Sequence, residues 1–134
     1  MGGTDQAGKL RLVAVDNDSD SVELIARVAT ECGYDARSIT DPRGLDRVLV
    51  DWKPHVVTLE LCMPEVDGVQ ILSLLQHEGF SGDLVIINAQ ANTLRAAAQS
   101  LAHARGLKVA GNLPKPISVK ALSRLLTRAG SPRR

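Results

Sequence analysis

Five short apolar runs alternate with five segments of helical periodicity along this 134-residue chain, and this alternation is the main constraint on its fold. Val56–Leu61 is the clearest apolar run. In the segment from Val22 to Ala29, apolar residues recur at i, i+3, i+4 and i+7, which is one face of a helix. Strands that alternate with helices predict a parallel sheet covered by helices on both faces. We therefore predict an α/β fold with a doubly wound sheet.

Local signals set the expected bounds of these elements. Asp20 followed by Glu23 predicts a capping box at the first helix, and Asp41 before a proline predicts the start of the second. Ser118 predicts the cap of the last helix. The predicted strands are Leu10–Val15, Tyr34–Thr40, Val56–Leu61, Leu84–Ile87 and Lys108–Gly111.

Length and composition limit the class of protein. We predict one domain over residues 10–129, with a lead-in at 1–9 and a tail at 130–134. A net charge of +1 gives no electrostatic case for nucleic acid, and two cysteines are too few for a zinc site. No apolar run is long enough for a membrane span and no secretion signal is visible, so a cytoplasmic location is expected.

Polar side chains follow the predicted strands at the points where they end. Asp16, Asn17 and Asp18 follow the first strand, Glu60 closes the third, and Asn88 and Lys115 follow the fourth and fifth. The carboxyl ends of parallel strands meet at one edge, where such folds bind ligands. Acidic oxygens with one lysine suit a divalent cation and a phosphoryl group.

The segment Glu60-Leu61-Cys62-Met63-Pro64-Glu65-Val66-Asp67-Gly68 closes the third run. It resembles the phosphorylation loop of the response-regulator receiver family (CheY-like), as do Asp16 and Lys115-Pro116 elsewhere in the chain. The resemblance covers Leu10 to about Ala129. It implies a flavodoxin-like (βα)5 fold with strand order 2-1-3-4-5, a cis peptide before Pro116, and a role in two-component phosphorelay signal transduction.

Four positions depart from the family pattern. Glu60 stands at the phosphoacceptor position, where the family has aspartate, and Asn17 replaces the second acid of the metal site. Asn88 replaces the hydroxyl residue and Asn112 the aromatic residue of the switch. These departures predict a degenerate receiver, or pseudo-receiver, that works without phosphorylation and holds one conformation, fixed by a contact between Glu60 and Lys115 or by their solvated separation.

The metal site that the resemblance implies would comprise Asp16, Asn17, Glu60 and the backbone carbonyl of Cys62. Asn17 keeps an oxygen but removes one negative charge, so weak or no Mg²⁺ binding is expected. No other cofactor is expected. The thiol of Cys62 is interpreted as incidental.

The leading hypothesis is a non-enzymatic module that binds a protein partner through about Asn92–Ala129, the partner face of the family. A histidine kinase or an output domain, such as a cyclic-di-GMP phosphodiesterase, is a candidate partner. Neither nucleic acid nor a membrane is expected. One alternative is a conventional phosphorylatable regulator that uses magnesium. The other is a small flavodoxin-like enzyme or nucleotide binder, although the first strand lacks a glycine-rich phosphate loop.

Overall fold

A five-stranded parallel sheet forms the centre of the protein. The computed structural model describes residues 8–64, 66–88 and 92–129, and in the fourth helix it describes side chains only from residue 96 onward. The strands are β1 (Arg11–Val15), β2 (Asp35–Ile39), β3 (Val56–Glu60), β4 (Asp83–Asn88) and β5 (Lys108–Pro114). The order β2-β1-β3-β4-β5 confirms the predicted flavodoxin-like fold.

Five α-helices connect and cover these strands. They are α1 (Ser19–Glu31), α2 (Leu45–Asp51), α3 (Gly68–His77), α4 (Asn92–Ala104) and α5 (Val119–Arg128). A 3₁₀ turn, Pro42–Gly44, precedes α2, and Cys62–Met63 forms a two-residue antiparallel ribbon with Val66–Asp67. This ribbon joins the end of β3 to the start of α3.

Two apolar layers enclose the sheet because alternate residues of each strand face opposite sides. Leu12 and Val85 face α1 and α5, where Ile25 and Leu122 are fully or almost fully buried. The other layer lies between the sheet and α2, α3 and α4. Leu59 belongs to this second layer and is fully buried. β3 and β4 are buried along their whole length, as expected for central strands of a parallel sheet.

The helix starts follow the expected capping chemistry with one correction. The side chain of Ser118 accepts a hydrogen bond from Ala121 N–H, and Asp41 accepts one from Arg43 N–H. The capping box predicted at Asp20 is wrong. Asp18 is the N-cap of α1, and its side chain accepts a hydrogen bond from Asp20 N–H.

β5 is longer than predicted. It continues beyond Gly111 to Pro114 and therefore includes Asn112. A Cβ atom at Gly111 would collide with the side chain of Leu125. The missing side chain thus lets α5 pack closely against the middle of the strand, which the apolar pattern alone did not indicate.

The predicted lead-in and tail lie largely outside the described residues, since 1–7 and 130–134 are not described. The domain boundaries therefore stay predictions. Among the described residues, no helix combines the length and the apolar character that crossing a bilayer requires.

Candidate functional site

Lys115 joins two buried carboxylates at the carboxyl edge of the sheet. Its Nζ lies 2.7 Å from Oδ2 of Asp16 and 2.9 Å from Oε1 of Glu60. The side chains of the two acids are 1% and 2% exposed, whereas that of Lys115 is 20% exposed. These three residues are called the carboxylate–lysine triad below. The triad holds two negative charges and one positive charge, almost entirely out of water.

The second oxygen of each carboxylate accepts a hydrogen bond from the backbone. Asp18 N–H donates to Oδ1 of Asp16 over 3.0 Å, and Cys62 N–H donates to Oε2 of Glu60 over 2.9 Å. The oxygens that face Lys115 accept no hydrogen bond from any other described group. Each buried carboxylate is therefore held by one ammonium contact and one amide, which is the pairing that buried charges require.

The sheet brings these residues together from distant parts of the chain. Asp16 directly follows β1, Glu60 ends β3, and β1 and β3 are neighbouring parallel strands. Lys115 follows β5, and its N–H donates to the carbonyl of Asn88 at the end of β4 over 3.3 Å. The peptide bond between Lys115 and Pro116 is cis. This meeting of strand ends agrees with the prediction from the alternating pattern of the sequence.

Asn88 is fully buried and lies against Cys62. The thiol of Cys62 is 3.3 Å from Oδ1 of Asn88, within hydrogen-bonding distance for sulfur. Sequence reasoning treated this thiol as incidental and did not find the contact. The only available signal was its place two residues after Glu60, where the chain turns away from the sheet.

Asn17 and Asp18 lie at the same edge but outside the triad. Both are exposed, and Asn17 lines a cleft of about 380 Å³ beside the triad. The hydroxyl of Ser21 and the N–H of Asp20 donate to Asp18 and hold the pKa of its carboxyl below the usual value. Asp18 thus serves α1 as a cap in this structure. The remaining residues that line the cleft are Thr40, Asp41, Pro42, Arg43, Met63, Pro64 and Val66.

Asn112 is directed toward a helix and away from the triad. Its Nδ2 donates to Oε1 of Gln99 on α4 over 3.2 Å, and the side chain is partly buried. In the sheet, Asn112 pairs with Ile86. The residue at the predicted switch position therefore links β5 to α4 through a polar contact.

Two opposing effects set the protonation of Lys115. Burial lowers the pKa of its ammonium, but the hydrogen bonds and negative charges of Asp16 and Glu60 outweigh this and raise the pKa above the usual value. Lys115 is thus charged throughout the physiological range. It acts as the fixed counterion of both acids.

The residues at this edge fit a magnesium ion poorly. Mg²⁺ prefers octahedral oxygen ligands, and the two carboxylates each direct one oxygen at Lys115 Nζ. Among the described residues, no group of three acidic, histidine or cysteine side chains is placed to hold a metal. The ligand set of Asp16, Asn17, Glu60 and the Cys62 backbone, and its weak binding of Mg²⁺, stay predictions.

Comparison with known proteins supports the family resemblance. The family model for the response regulator receiver domain matches residues 12–127. The protein-glutamate methylesterase/protein-glutamine glutaminase of group 2 operon from Bradyrhizobium diazoefficiens is 36% identical over 126 residues, which is 91% of this chain and 30% of that protein. The phosphate regulon transcriptional regulatory protein PhoB of Pseudomonas aeruginosa is 27% identical over 86% of this chain and 48% of its own length. The chain spans about half or less of these relatives.

Solved structures share the fold. A response regulator from Colwellia psychrerythraea superposes with a TM-score of 0.78 at 24% identity and covers 88% of this chain and 94% of its own. The chemotaxis protein CheY4 of Vibrio cholerae gives a TM-score of 0.76 at 17% identity, with 91% and 99% covered. The sheet order, the strand-end residues and the family match over residues 12–127 lead to one conclusion: the chain belongs to the response regulator receiver domain family of two-component systems.

Proposed function

We propose that this receiver signals without phosphorylation and acts as a protein-interaction module in one conformation. The proposal rests on two contacts of Lys115, whose Nζ lies 2.7 Å from Oδ2 of Asp16 and 2.9 Å from Oε1 of Glu60. Receiver domains exchange signals with kinases and output domains. The partner of this one is proposed to be a protein, and a histidine kinase or an output domain such as a cyclic-di-GMP phosphodiesterase is a candidate.

The engagement of Glu60 supports the proposal. One of its oxygens contacts Lys115 and the other accepts the N–H of Cys62. To attack a phosphodonor, one carboxylate oxygen of Glu60 would have to lose its contact with Lys115 or with the N–H of Cys62. It would have to do so at a residue that is only 2% exposed. The side chain is also one methylene longer than aspartate, so an acyl phosphate on it would be displaced from Asp16 and Lys115.

The charge of the triad also supports the proposal that this receiver signals without phosphorylation. Phosphorylation of Glu60 would replace its single negative charge with about two, beside the carboxylate of Asp16 and with Lys115 as their one cation in the triad. Asn17 contributes no charge to attract a metal that could offset them. Glu60 with Lys115 instead supplies a permanent ion pair at the position where the family's aspartate is modified.

The positions of the predicted switch support a single conformation. Asn88 is fully buried and bonds Cys62, whereas Asn112 bonds Gln99 on α4. A ligand shifts an equilibrium only through different affinities for two states. Neither asparagine carries the hydroxyl or the ring through which a phosphoryl group would create that difference.

A phosphorylation assay tests the proposal. The wild-type chain, incubated with acetyl phosphate and Mg²⁺, is expected to show no phosphoryl adduct in its intact mass. The control is the variant Asn17→Asp, Glu60→Asp and Asn88→Thr, which restores the family residues and is expected to form the adduct. Glu60→Asp alone is expected to give less adduct than the triple variant.

Amide chemical shifts with and without beryllofluoride and Mg²⁺ provide the second measurement. The wild-type chain is expected to show no shifts across Asn92–Ala129, and the triple variant is expected to show them. An adduct on the wild-type protein, or large shifts in this segment, would contradict the proposal and favour a conventional phosphorylatable receiver.

A further inference from the structure

The near-zero net charge of this chain conceals a strong separation of charge. All 15 acidic residues lie within residues 1–83, together with seven of the 16 Lys and Arg residues. Residues 84–134 contain nine Lys and Arg residues and no Asp or Glu. The second segment comprises β4 after its first residue, Asp83, together with α4, β5 and α5. After Asp83, these elements therefore carry no acidic side chain of their own to neutralise their cations.

Helix α5 presents part of this charge in an ordered row. Lys120, Arg124 and Arg128 are spaced i, i+4, i+8 and are all exposed. Residues three or four apart share one face of a helix, so the three cations form a line along α5. Neighbouring residues of this line are separated by about 6 Å along the helix axis. We call them the α5 basic stripe. Among the described residues, none of the three has an acidic group within 4.0 Å.

The N-terminal part of the stripe works against the stability of the helix that carries it. Like charges four residues apart repel one another, and a cation in the first turn opposes the positive end of the helix dipole. Lys120 lies in that first turn, and the turn contains no acidic residue. A surface charge that works against local stability, and that has no acidic partner within 4.0 Å in the described part of the chain, points to a contact with another molecule.

We propose that the α5 basic stripe binds an acidic segment of a partner protein, with carboxylates spaced to meet Lys120, Arg124 and Arg128. The inference rests on the proposed role as an interaction module and specifies the chemistry of the partner. Electrostatic complementarity of this kind increases association rate and selects against basic or neutral surfaces.

Other occupants fit less well. A two-fold contact of α5 with itself would place like charges opposite one another, because a two-fold interface uses the same surface twice. Contact with acidic residues of the 1–83 segment of a second copy would be head-to-tail and would build a ring or an open chain of many copies. The stripe also has no aromatic neighbour for base stacking, since no aromatic residue follows Phe80. Insertion into a membrane would need the apolar face of α5, but Leu122 and Leu126 are buried in the core.

A titration with a defined probe tests the inference in the unphosphorylated chain. The probe is an alanine-based helical peptide with Glu at three positions spaced four apart, and its counterpart has Gln at the same positions. The Glu peptide is expected to shift the amide signals of α5 and to bind roughly fivefold more weakly when ionic strength rises from about 50 to 300 mM. The Gln peptide is expected to cause no shifts.

Charge-reversal variants locate the site. The variant Lys120→Glu, Arg124→Glu, Arg128→Glu is expected to lose at least tenfold in affinity for the Glu peptide. The matched control is Lys9→Glu, Arg27→Glu, Arg47→Glu, which changes the net charge equally at exposed residues outside the stripe. The control is expected to bind the peptide within about twofold of wild type.

The single variant Lys120→Glu separates binding from folding. It is expected to weaken peptide binding about threefold while the thermal midpoint stays equal or rises, because the new acid suits the helix start. Equal weakening in both triple variants, unchanged affinity after reversal of the stripe, or tighter binding to duplex DNA or to phosphatidylserine vesicles would overturn the inference.

The two proposals fail in distinguishable ways. Uptake of beryllofluoride by the wild-type chain would contradict phosphorylation-independent signalling and leave the effect of charge reversal intact. Loss of the charge-reversal effect would overturn the acidic partner and leave the phosphorylation result intact.

Discussion

The carboxylate–lysine triad and the α5 basic stripe carry charge in opposite ways. In the triad, two acids with 1% and 2% exposure share one lysine at 2.7 and 2.9 Å. In the stripe, three exposed cations have no acid within 4.0 Å among the described residues. Buried charge is costly unless it is paired, whereas exposed charge is stabilised by water. The protein can therefore leave charge unpaired only on its surface, where a partner can reach it.

The largest expected effect comes from breaking the triad. Lys115→Met is expected to destabilise the protein by about 3 kcal/mol, because two carboxylates would remain buried without their counterion. Urea unfolding at pH 7 measures this change. The control is Lys108→Met at an exposed position on β5, which is expected to change stability by less than about 0.5 kcal/mol. A triad variant as stable as this control would show that the ion pairs contribute nothing.

An intermediate effect is expected at Tyr34, a buried residue that contacts the C-terminal end of α5, the helix that carries the stripe. Its hydroxyl lies 2.7 Å from the carbonyl oxygen of Leu126 and 2.6 Å from that of Ala129, and so anchors the end of α5. Tyr34→Phe is expected to cost about 1–2 kcal/mol, since two buried carbonyls would lose this donor. Urea unfolding at pH 7 provides the measurement. A loss below about 0.3 kcal/mol would mean that the anchor is not needed.

The same tyrosine predicts a dependence of stability on alkaline pH. Burial, followed by the charges of Asp83 and Cys32, raises the pKa of Tyr34 to about 12. The unfolded chain releases this proton near pH 10 and the folded chain holds it to higher pH. Stability is therefore expected to fall as pH rises from about 10 to 12. The raised pKa of Lys115 acts in the same direction above its usual value of 10.5. Tyr34→Phe is expected to reduce this slope, and an unchanged slope would contradict the assignment.

The smallest expected effects lie in the stripe itself and differ in sign between its ends. Lys120→Gln is expected to stabilise the protein by a few tenths of a kcal/mol, because it removes a cation from the first turn of α5. Arg128→Gln is expected to destabilise it by a similar amount, because Arg128 lies in the last turn and favours the negative end of the helix dipole. Thermal unfolding at low salt compares the two variants. Equal signs would indicate that the dipole is not the dominant interaction.

The residues of the site edge also show which features a local sequence pattern can predict and which it cannot. The strand ends at Asp16, Glu60 and Asn88 followed from apolar runs, because the geometry of a parallel sheet places its carboxyl ends at one edge. The resemblance to the family motif predicted which side chains at this edge form the candidate site. The capping role of Asp18 was missed, since Asp18 and Asp20 have the same chemistry and only the point where the backbone changes from extended at Asp18 to helical distinguishes them.

The sequence by itself determined the order of elements, the layered fold and the group of residues at the site edge. Helical and strand periodicities depend on neighbours a few residues away, so they can be read along the chain. The tertiary structure alone decided that Glu60 contacts Lys115 and is not separated from it by water, that Cys62 contacts Asn88, and that Tyr34 holds the end of α5. Those contacts join side chains from separate elements, and their partners are fixed by the packing of the sheet against its helices.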